Sequence, residues 1–220
     1  MSHNLLKGKK GIIFGALDSS SIAWQVALQC VENGAEIILT NAPIALRMGS
    51  ISELAKLCNA KVVPADATSV SDLENLFKVT KQEFNGKIDF ILHSIGMSLN
   101  VRKKRDYTDL NYDFLMKGID VSAVSFHKML QVAYKLNIIN EYGSVLALSY
   151  IAAQRTFPNY NDMADNKAYL ESIKYVLTEF IAEANFETAY YNFGGYAKNP
   201  QSASSNYEEL MFLPSDLEHL

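Results

Sequence analysis

The chain has 220 residues, 49% of them hydrophobic and 20% charged, with a formal net charge of −4. This size and composition predict one soluble globular domain with a substantial core. The acidic balance argues against a nucleic-acid partner, and neither a membrane-spanning run nor a signal-peptide core is present in the sequence. We therefore expect a cytoplasmic protein.

Short apolar strands alternate with longer periodic helices along the chain. The strands are predicted at residues 11–14, 36–40, 61–65, 89–93 and 143–149. The helices are predicted at residues 21–33, 45–58, 71–84, 112–136 and 163–184, and the third opens on a capping box of Ser71 and Glu74. Near-continuous apolar strands between helices indicate an α/β fold, a Rossmann-type doubly wound parallel sheet with three α/β/α layers in a single domain.

No metal site is expected. Cys30 and Cys58 both fall in predicted helices, where we interpret them as reduced packing residues. The four histidines are scattered along the sequence, and their spacing is not that of metal ligands.

The loop after the first strand has the features of a pyrophosphate site. Gly15 permits a tight turn with close approach of the backbone, and the helix that begins near Ser21 directs free N–H groups at that turn. The familiar G-x-G-x-x-G pattern is absent. A serine-rich helix cap with no ligand is the alternative interpretation.

The ends of the third and fourth strands favour the same ligand. Asp66, followed by Ala67, could accept a hydrogen bond from an adenine amino group, or could cap the following helix. The small-residue turn at residues 94–96 could hold a ribose against its backbone. Because ligands of doubly wound sheets bind at the carboxyl ends of the strands, these turns together predict a dinucleotide site.

The end of the second strand bears on the choice of cofactor. Residues 40–43 carry neither an acidic side chain for a ribose 2′-hydroxyl nor an adjacent basic one, and the nearest cation is Arg47 in the next helix. The absence of an adjacent cation favours NADH over NADPH.

Tyr160 and Lys167 form a candidate catalytic pair. Their spacing of seven residues is close to two helical turns, so both side chains are expected on one helix face. A phenol there could donate to a substrate oxygen while an ammonium holds a sugar hydroxyl. The pair gains weight from the nucleotide site predicted upstream.

These motifs together resemble the enoyl-acyl-carrier-protein reductases, a divergent branch of the short-chain dehydrogenase/reductase family. The matching segments are Gly-x5-Ser-Ile-Ala from Gly15 to Ala23, His-Ser-Ile-Gly at residues 93–96, Leu-Ser-Tyr at residues 148–150, and Tyr160 with Lys167. Ordinary short-chain dehydrogenases space the last pair as Tyr-x3-Lys, which makes a carbonyl-reducing enzyme the least favoured alternative. The resemblance extends from Leu5 to about Lys174.

The resemblance implies reduction of trans-2-enoyl thioesters on an acyl carrier protein, the last step of the fatty-acid elongation cycle. Tyr160 would hydrogen-bond the thioester oxygen as negative charge develops, and Tyr150 would orient the enoyl group. The expected catalytic residues are Tyr150, Tyr160 and Lys167. The expected cofactor residues are Gly15, Ser21, Ile22, Asp66, Ala67, Ser94, Ile95, Gly96 and Lys167, with NAD as the cofactor. The expected substrate residues are Met97, Tyr150, Tyr160 and Met163. The resemblance also implies a homo-oligomer, usually a tetramer.

A run of four cations occupies residues 102–105. It is either a solvated loop or a landing patch for the acidic carrier protein.

The sequence departs from the family after the last predicted helix. Residues 186–196 resemble the family's seventh strand and its Gly-Gly turn, so we predict that the sixth strand and the mobile substrate loop are missing. We expect a reductase domain at residues 1–197, shortened between residues 185 and 190, and a tail at residues 198–220. The missing segment leaves open an active enzyme with a rebuilt lid, or an NAD-binding pseudoenzyme that joins oligomers of a full-length relative.

Overall fold

A single parallel sheet organises the molecule, seen in a computed structural model that describes residues 4–155, 157–181 and 187–193. Its strands are β1 (Lys10–Phe14), β2 (Glu36–Thr40), β3 (Lys61–Val62), β4 (Ile88–His93), β5 (Ile139–Tyr150) and β6 (Glu187–Phe193). Their order is β3-β2-β1-β4-β5-β6, and every neighbouring pair is parallel. The chain adds strands to one side of β1 up to β3 and then crosses to the other side with β4. This change of side between β1 and β4 confirms the predicted doubly wound α/β fold.

Helices cover both faces of this sheet. They are α1 (Ile22–Glu32), α2 (Pro43–Met48), α3 (Ile51–Leu57), α4 (Val70–Glu83), α5 (Leu99–Arg102), α6 (Tyr112–Ile119), α7 (Ser125–Lys135) and α8 (Asp162–Ile181). One core packs α4, α7 and α8 against the sheet, and the other packs α1 and α3 against the opposite face. These two cores are the interfaces of the three predicted layers. Among the described residues, no helix combines the length and the apolar character needed to cross a membrane.

The helix predicted at residues 45–58 is in fact two helices. The chain leaves helical geometry at Gly49 and Ser50, between α2 and α3. The backbone N–H of Ser50 donates to the carbonyl of Leu17 at 2.9 Å, which ties this break to the loop after β1. A contact with a distant loop therefore overrides the local helical pattern.

The predicted start of α4 is also wrong. Ser69, and not Ser71, is the N-cap residue, and its side chain accepts a hydrogen bond from the backbone N–H of Asp72. The carboxylate of Asp72 in turn accepts from the backbone N–H of Asp66 at 3.0 Å. These bonds shift the helix start towards β3 and fix the turn that carries Asp66.

The long helix predicted at residues 112–136 changes its winding in the middle. A π-helical segment, Asp120–Val124, joins α6 to α7. Single π-helical turns inside α-helices are frequent at functional sites. Here the segment carries Ser122, a fully buried residue that contacts the candidate site described below.

The last described strand lies directly beside the fifth. β6 pairs with β5 along its whole length, from Ser144 opposite Glu187 to Tyr150 opposite Phe193. The last described strand therefore takes the place beside β5 that the missing sixth strand would leave vacant. The expected Gly-Gly turn and the tail at residues 198–220 lie outside the described residues.

Candidate functional site

The carboxyl ends of β1 and β4 meet in very close contact. Gly15 has a φ of +92°, and a Cβ atom placed on it would lie 1.9 Å from the carbonyl oxygen of Ser94. The left-handed conformation and the lack of space both require glycine at this position. The predicted turns after the first and fourth strands therefore form one continuous surface.

Ser21 stands at the N-cap of α1 without using its side chain as the cap. Its hydroxyl donates to the carbonyl of Asp18 at 2.6 Å and accepts from the backbone N–H of Leu17 at 3.2 Å. The side chain thus shapes the loop. Ser21 therefore does not cap α1 with its side chain, and the phosphate site at the amino end of α1 stays a prediction.

Asp66 belongs to a tight turn after β3. Its carboxylate accepts from both the backbone N–H and the hydroxyl of Thr68, at 2.8 and 2.7 Å. Burial works against ionisation, but these bonds and the positive charges of Lys117 and Lys128 outweigh it and lower the pKa of Asp66. The alternative role of Asp66 as the helix cap is wrong, since Ser69 holds that position.

Asn41 organises the chain after β2. Its side-chain amide donates to the carbonyl of Ala16 at 3.0 Å, and its side-chain oxygen accepts from the backbone N–H of Ala42 at 2.8 Å. Arg47 is exposed in the last turn of α2. The described end of β2 thus carries an amide, engaged with the loop after β1, at the position where the sequence lacks a charged side chain.

The rings of two predicted catalytic tyrosines pack against each other, with their planes tilted by 40°. The ring centroids of Tyr150 and Tyr160 are 4.6 Å apart, and Phe157 packs on Tyr150 at 5.3 Å. Burial, with a smaller contribution from Tyr150, raises the pKa of Tyr160 well above its usual value. Tyr160 is therefore a neutral hydrogen-bond donor at physiological pH.

Lys167 is buried at the centre of the site, with 6% of its surface exposed. Its ammonium donates to the carbonyl of Leu148 at 2.6 Å and to the carbonyl of Ile95 at 3.3 Å, which ties the end of β5 to the turn after β4. Burial lowers the pKa of Lys167 to about 8, and the negative charge of Glu171 opposes that drop. An ammonium has one more N–H donor than these carbonyls use, which leaves a donor for a ligand hydroxyl.

The predicted substrate residues Met97 and Met163 lie next to Ser122, a contact residue that the sequence analysis missed. The Ser122 hydroxyl lies 2.9 Å from the backbone nitrogen and 3.1 Å from the carbonyl oxygen of Met97. Met163 is buried, and its methyl group lies over the exposed Gly96. No sequence signal marks Ser122, because its inward position follows from the π-helical segment.

A buried carboxylate, also missed, anchors the loop after β4. Asp162, the first residue of α8, accepts from the hydroxyl of Ser98 at 2.5 Å and from the amide of Asn100 at 2.8 Å. All three side chains are buried. They hold the segment after the predicted ribose turn against the start of the helix that carries Lys167.

His93, part of the family-like motif, lies in the core. Its ring lies between Phe14 and Phe126, and one ring nitrogen is 2.9 Å from the hydroxyl of Ser125. Burial, together with the positive charge of Lys167, lowers the pKa of His93 to about 3. His93 is therefore a neutral packing residue beneath the site.

In the cationic run at residues 102–105, one side chain is ion-paired and the others are exposed to solvent. Arg105 forms an ion pair with Asp109 at 2.8 Å, and the ammonium of Lys103 lies 5.4 Å from the centroid of the Phe114 ring. Arg102, Lys103 and Lys104 are exposed. The run is thus a short cationic surface that follows α5.

The structure brings the predicted residues that follow β1, β4 and β5, together with those of α8, to the carboxyl ends of the strands. Gly15 touches the turn after β4, and Lys167 joins that turn to β5. Asp66 follows β3, two strands away from β1. The individual roles of these residues in binding and turnover stay predictions.

Comparison with known proteins gives a consistent result. The family described as "Enoyl-(Acyl carrier protein) reductase" matches residues 15–185. The chain is 33% identical over 177 residues to the Rhizobium meliloti protein named enoyl-[acyl-carrier-protein] reductase [NADH] 1, covering 80% of this chain and 64% of that relative. It is 30% identical over 213 residues to the Rickettsia typhi protein of the same activity name, FabI, covering 96% and 80%. The chain thus spans just under two thirds of the first relative.

Solved structures agree with the sequence matches. A FabI–NADH complex from Alistipes finegoldii is similar with a TM-score of 0.87 and 55% identity, over 95% of this chain and 74% of that one. A reductase from Anaplasma phagocytophilum, solved with NAD, is similar with a TM-score of 0.80 and 26% identity, over 90% of this chain and 75% of that one.

Proposed function

This chain belongs to the enoyl-(acyl carrier protein) reductase family, and from that premise we propose that it reduces trans-2-enoyl thioesters carried by an acyl carrier protein, with NADH as the reductant. The product would be the saturated acyl thioester, which completes a round of fatty-acid elongation. The observation that carries the proposal is the contact between the rings of Tyr150 and Tyr160. Tyr150 ends β5, the strand that the buried Lys167 ties to the turn after β4.

The described residues fit a nicotinamide dinucleotide. The close approach of Gly15 to Ser94 gives a backbone surface without side-chain bulk, and the loop held by Ser21 precedes the amino end of α1. Lys167 keeps a donor for ribose hydroxyls. The cofactor residues proposed here are Gly15, Ser21, Ile22, Asp66, Ala67, Ser94, Ile95, Gly96 and Lys167.

The protein side chains would act on the thioester, while NADH, when bound, would supply hydride to the β-carbon. Tyr160, which stays protonated because its pKa is raised, would donate to the thioester oxygen as that atom gains charge. Lys167 is cationic below about pH 8 and would add a positive field. Tyr150 would hold the Tyr160 ring, and Met97 and Met163 would form the apolar wall for the acyl chain.

The absence of a charged side chain at the end of β2 supports NADH over NADPH. Asn41 is already engaged with the carbonyl of Ala16 and with the chain at Ala42, and the exposed Arg47 belongs to α2. The test is direct competition: NADH should bind more tightly than NADPH, and the reverse order would contradict this choice.

The deciding experiment measures NADH binding and NADH oxidation in parallel, with crotonyl and longer enoyl thioesters. Binding with turnover supports the reductase. Binding without turnover supports the alternative, a cofactor-binding relative that has lost activity, which the shortening predicted between residues 185 and 190 favours. Oxidation of NADH by a ketone or 3-ketoacyl thioester in place of the enoyl substrate would favour a carbonyl reductase.

The exposed cations after α5 are the proposed docking patch for the carrier protein. Reversing Lys103 and Lys104 to Glu should raise KM for carrier-linked substrate and leave KM for a small thioester unchanged, because only the carrier is acidic. Lys135→Glu is the matched control. Lys135 is an exposed cation at the end of α7, just before β5 begins, and so lies near the amino ends of the strands. An equal effect on both substrates would contradict docking.

We expect the protein to form a homo-oligomer in solution, and we propose that this oligomer is a tetramer. Tyr112 and Met116 stand one turn apart on α6 and are 74% and 62% exposed, and Tyr169 on α8 is 46% exposed. Large exposed side chains of this kind suit a subunit interface. Light scattering after size exclusion measures the mass, and a monomer at micromolar concentration would contradict this state.

We also propose a cytoplasmic location. Cys30 and Cys58 are buried, and neither forms a disulfide. Unpaired cysteines are typical of a reducing compartment. Microscopy of a tagged chain in its source cell tests this directly.

A further inference from the structure

A second buried charge lies one helical turn beyond Lys167. Glu171 has 6% of its surface exposed, although a carboxylate is rarely buried without partners. One of its oxygens accepts from the hydroxyl of Ser149 at 2.6 Å, and the other accepts from the amide of Gln154 at 3.0 Å. Both carboxylate oxygens are thus directed at the chain around Tyr150.

The hydrogen bonds of Glu171 and those of Lys167 hold the same short segment at the end of β5. Lys167 donates to the carbonyl of Leu148, and Glu171 accepts from the hydroxyl of the next residue, Ser149. Tyr150 follows, and its ring packs against Tyr160. Since Gln154 is bonded to the same carboxylate, the end of β5 and the turn after it are attached to one face of α8.

Glu171 also supplies charge to the site. Its negative charge favours the protonated form of Lys167, against the effect of burial. The other titratable groups that face this region are His93 from β4, which is neutral because its pKa is about 3, and Tyr150 and Tyr160, whose raised pKa values keep them neutral. Among the described groups that act on Lys167, Glu171 is therefore the source of negative charge.

We propose that Glu171 is a positioning residue: it orients the Tyr150 end of β5 through Ser149 and Gln154, and it places a negative charge one helical turn from Lys167. It would touch neither cofactor nor thioester. Its meaning for turnover rests on the proposed reductase function, whereas its effect on Lys167 can be measured without any substrate.

The test follows the titration of Lys167 by carbon NMR of lysine-labelled protein, with Lys167→Met to assign the signal. Glu171→Gln removes the charge at nearly constant volume and should lower the pKa of Lys167 by about one unit, the size expected for a nearby opposite charge. Asp165→Asn is the matched control, because it removes an exposed carboxylate from the same helix and should leave the titration unchanged. Identical titrations in wild type and Glu171→Gln would overturn the proposal.

Glu171→Asp separates charge from position, and it also serves if Glu171→Gln does not fold. The shorter side chain keeps the charge but draws back from Ser149 and Gln154. The Lys167 titration should stay close to that of wild type while kcat falls about 10-fold through the misplaced Tyr150. Wild-type kcat in Glu171→Asp would overturn the positioning role. A wild-type protein without turnover would count against the reductase function alone, since the titration is read independently.

Discussion

Tyr160 combines packing and chemistry in one side chain. The ring is held by Tyr150 at a centroid distance of 4.6 Å, and its hydroxyl stays protonated because burial raises its pKa. Removing the hydroxyl while keeping the ring therefore separates the two contributions.

Tyr160→Phe should lower kcat about 100- to 1000-fold, the loss typical of one donor to a developing oxyanion. NADH affinity and thermal stability should change little, since the ring contact with Tyr150 is kept. Tyr169→Phe, an exposed residue of α8, is the control and should retain full turnover. Steady-state kinetics with an enoyl thioester measures both, and full turnover in Tyr160→Phe would refute the assigned role.

The titration of Lys167 predicts the alkaline side of the pH profile. Its pKa is lowered to about 8 by burial, so the cation is present below that pH and is lost above it. Turnover should fall as pH rises through about 8. A rate that is constant up to about pH 10, the ordinary range of lysine, would contradict a role for the charge.

The same lysine has the opposite effect on stability. The unfolded chain keeps the proton to a higher pH than the folded chain, so this group makes folding more favourable as pH rises between about 8 and 10.5. Loss of turnover in that interval therefore does not report unfolding caused by Lys167. Circular dichroism across the same pH range provides the control.

At the scale of elements, the start of α4 gives a sharp test of the corrected helix cap. Ser69→Ala should destabilise the protein by about 1 kcal/mol, because the backbone N–H of Asp72 loses its acceptor. Ser71→Ala should change the free energy of unfolding by less than about 0.5 kcal/mol. Urea denaturation distinguishes the two, and the reverse order would restore the cap predicted from sequence.

The junction of β1 and β4 is the second element whose geometry can be tested. Gly15→Ala should destabilise the fold by more than about 2 kcal/mol, since a left-handed conformation alone costs about 1–2 kcal/mol and the new Cβ would overlap the carbonyl of Ser94. NADH binding should be lost with it. Gly86→Ala is the control, because its nearest neighbour would be a carbonyl at 3.9 Å. Normal NADH binding in Gly15→Ala would contradict the proposed cofactor turn.

The elements also show which kinds of feature can be predicted from sequence. Alternating apolar strands and helices predict the parallel sheet, because a strand buried on both faces must be apolar throughout. The turn at Gly15 can be predicted because it depends on the local sequence. The expectation that Tyr160 and Lys167 share one helix face is wrong, because α8 begins at Asp162 and Tyr160 lies in the loop before it. The break before Ser50 cannot be predicted from local sequence, because it depends on the carbonyl of Leu17 in a separate loop.

In the candidate site, too, some residues can be predicted from the local sequence and others cannot. The motif marks Lys167 as a candidate, and its role stays a prediction, whereas the contact of Ser122 with Met97 depends on a π-helical segment that no local pattern marks. Glu171 was missed because one more acidic residue on a helix is normally exposed, and only the packing of α8 against the end of β5 buries it. Features that arise from tertiary contact are therefore the ones that sequence reasoning did not reach.

For the molecule as a whole, β6 decides whether the sheet has a protected edge. The strand has seven residues, all paired with β5. Deleting residues 187–220 should expose that edge and lower the thermal midpoint by about 10 °C or more, since each kcal/mol is worth about 2–4 °C at this size. Deleting only residues 198–220, the predicted tail, should leave the midpoint unchanged. Differential scanning calorimetry compares the two, and equal midpoints would refute the protective role of β6.

The order of synthesis gives the placement of β6 a further consequence. At about 5–20 residues per second, roughly 2–9 s separate the synthesis of Tyr150 from that of its partner Phe193. A chain that lacks β6 has β5 as its outermost strand, with one row of backbone groups unpaired. Such a strand favours pairing with another chain, so we expect chains that end before residue 187 to aggregate and their soluble yield to rise with chaperones that bind exposed strands.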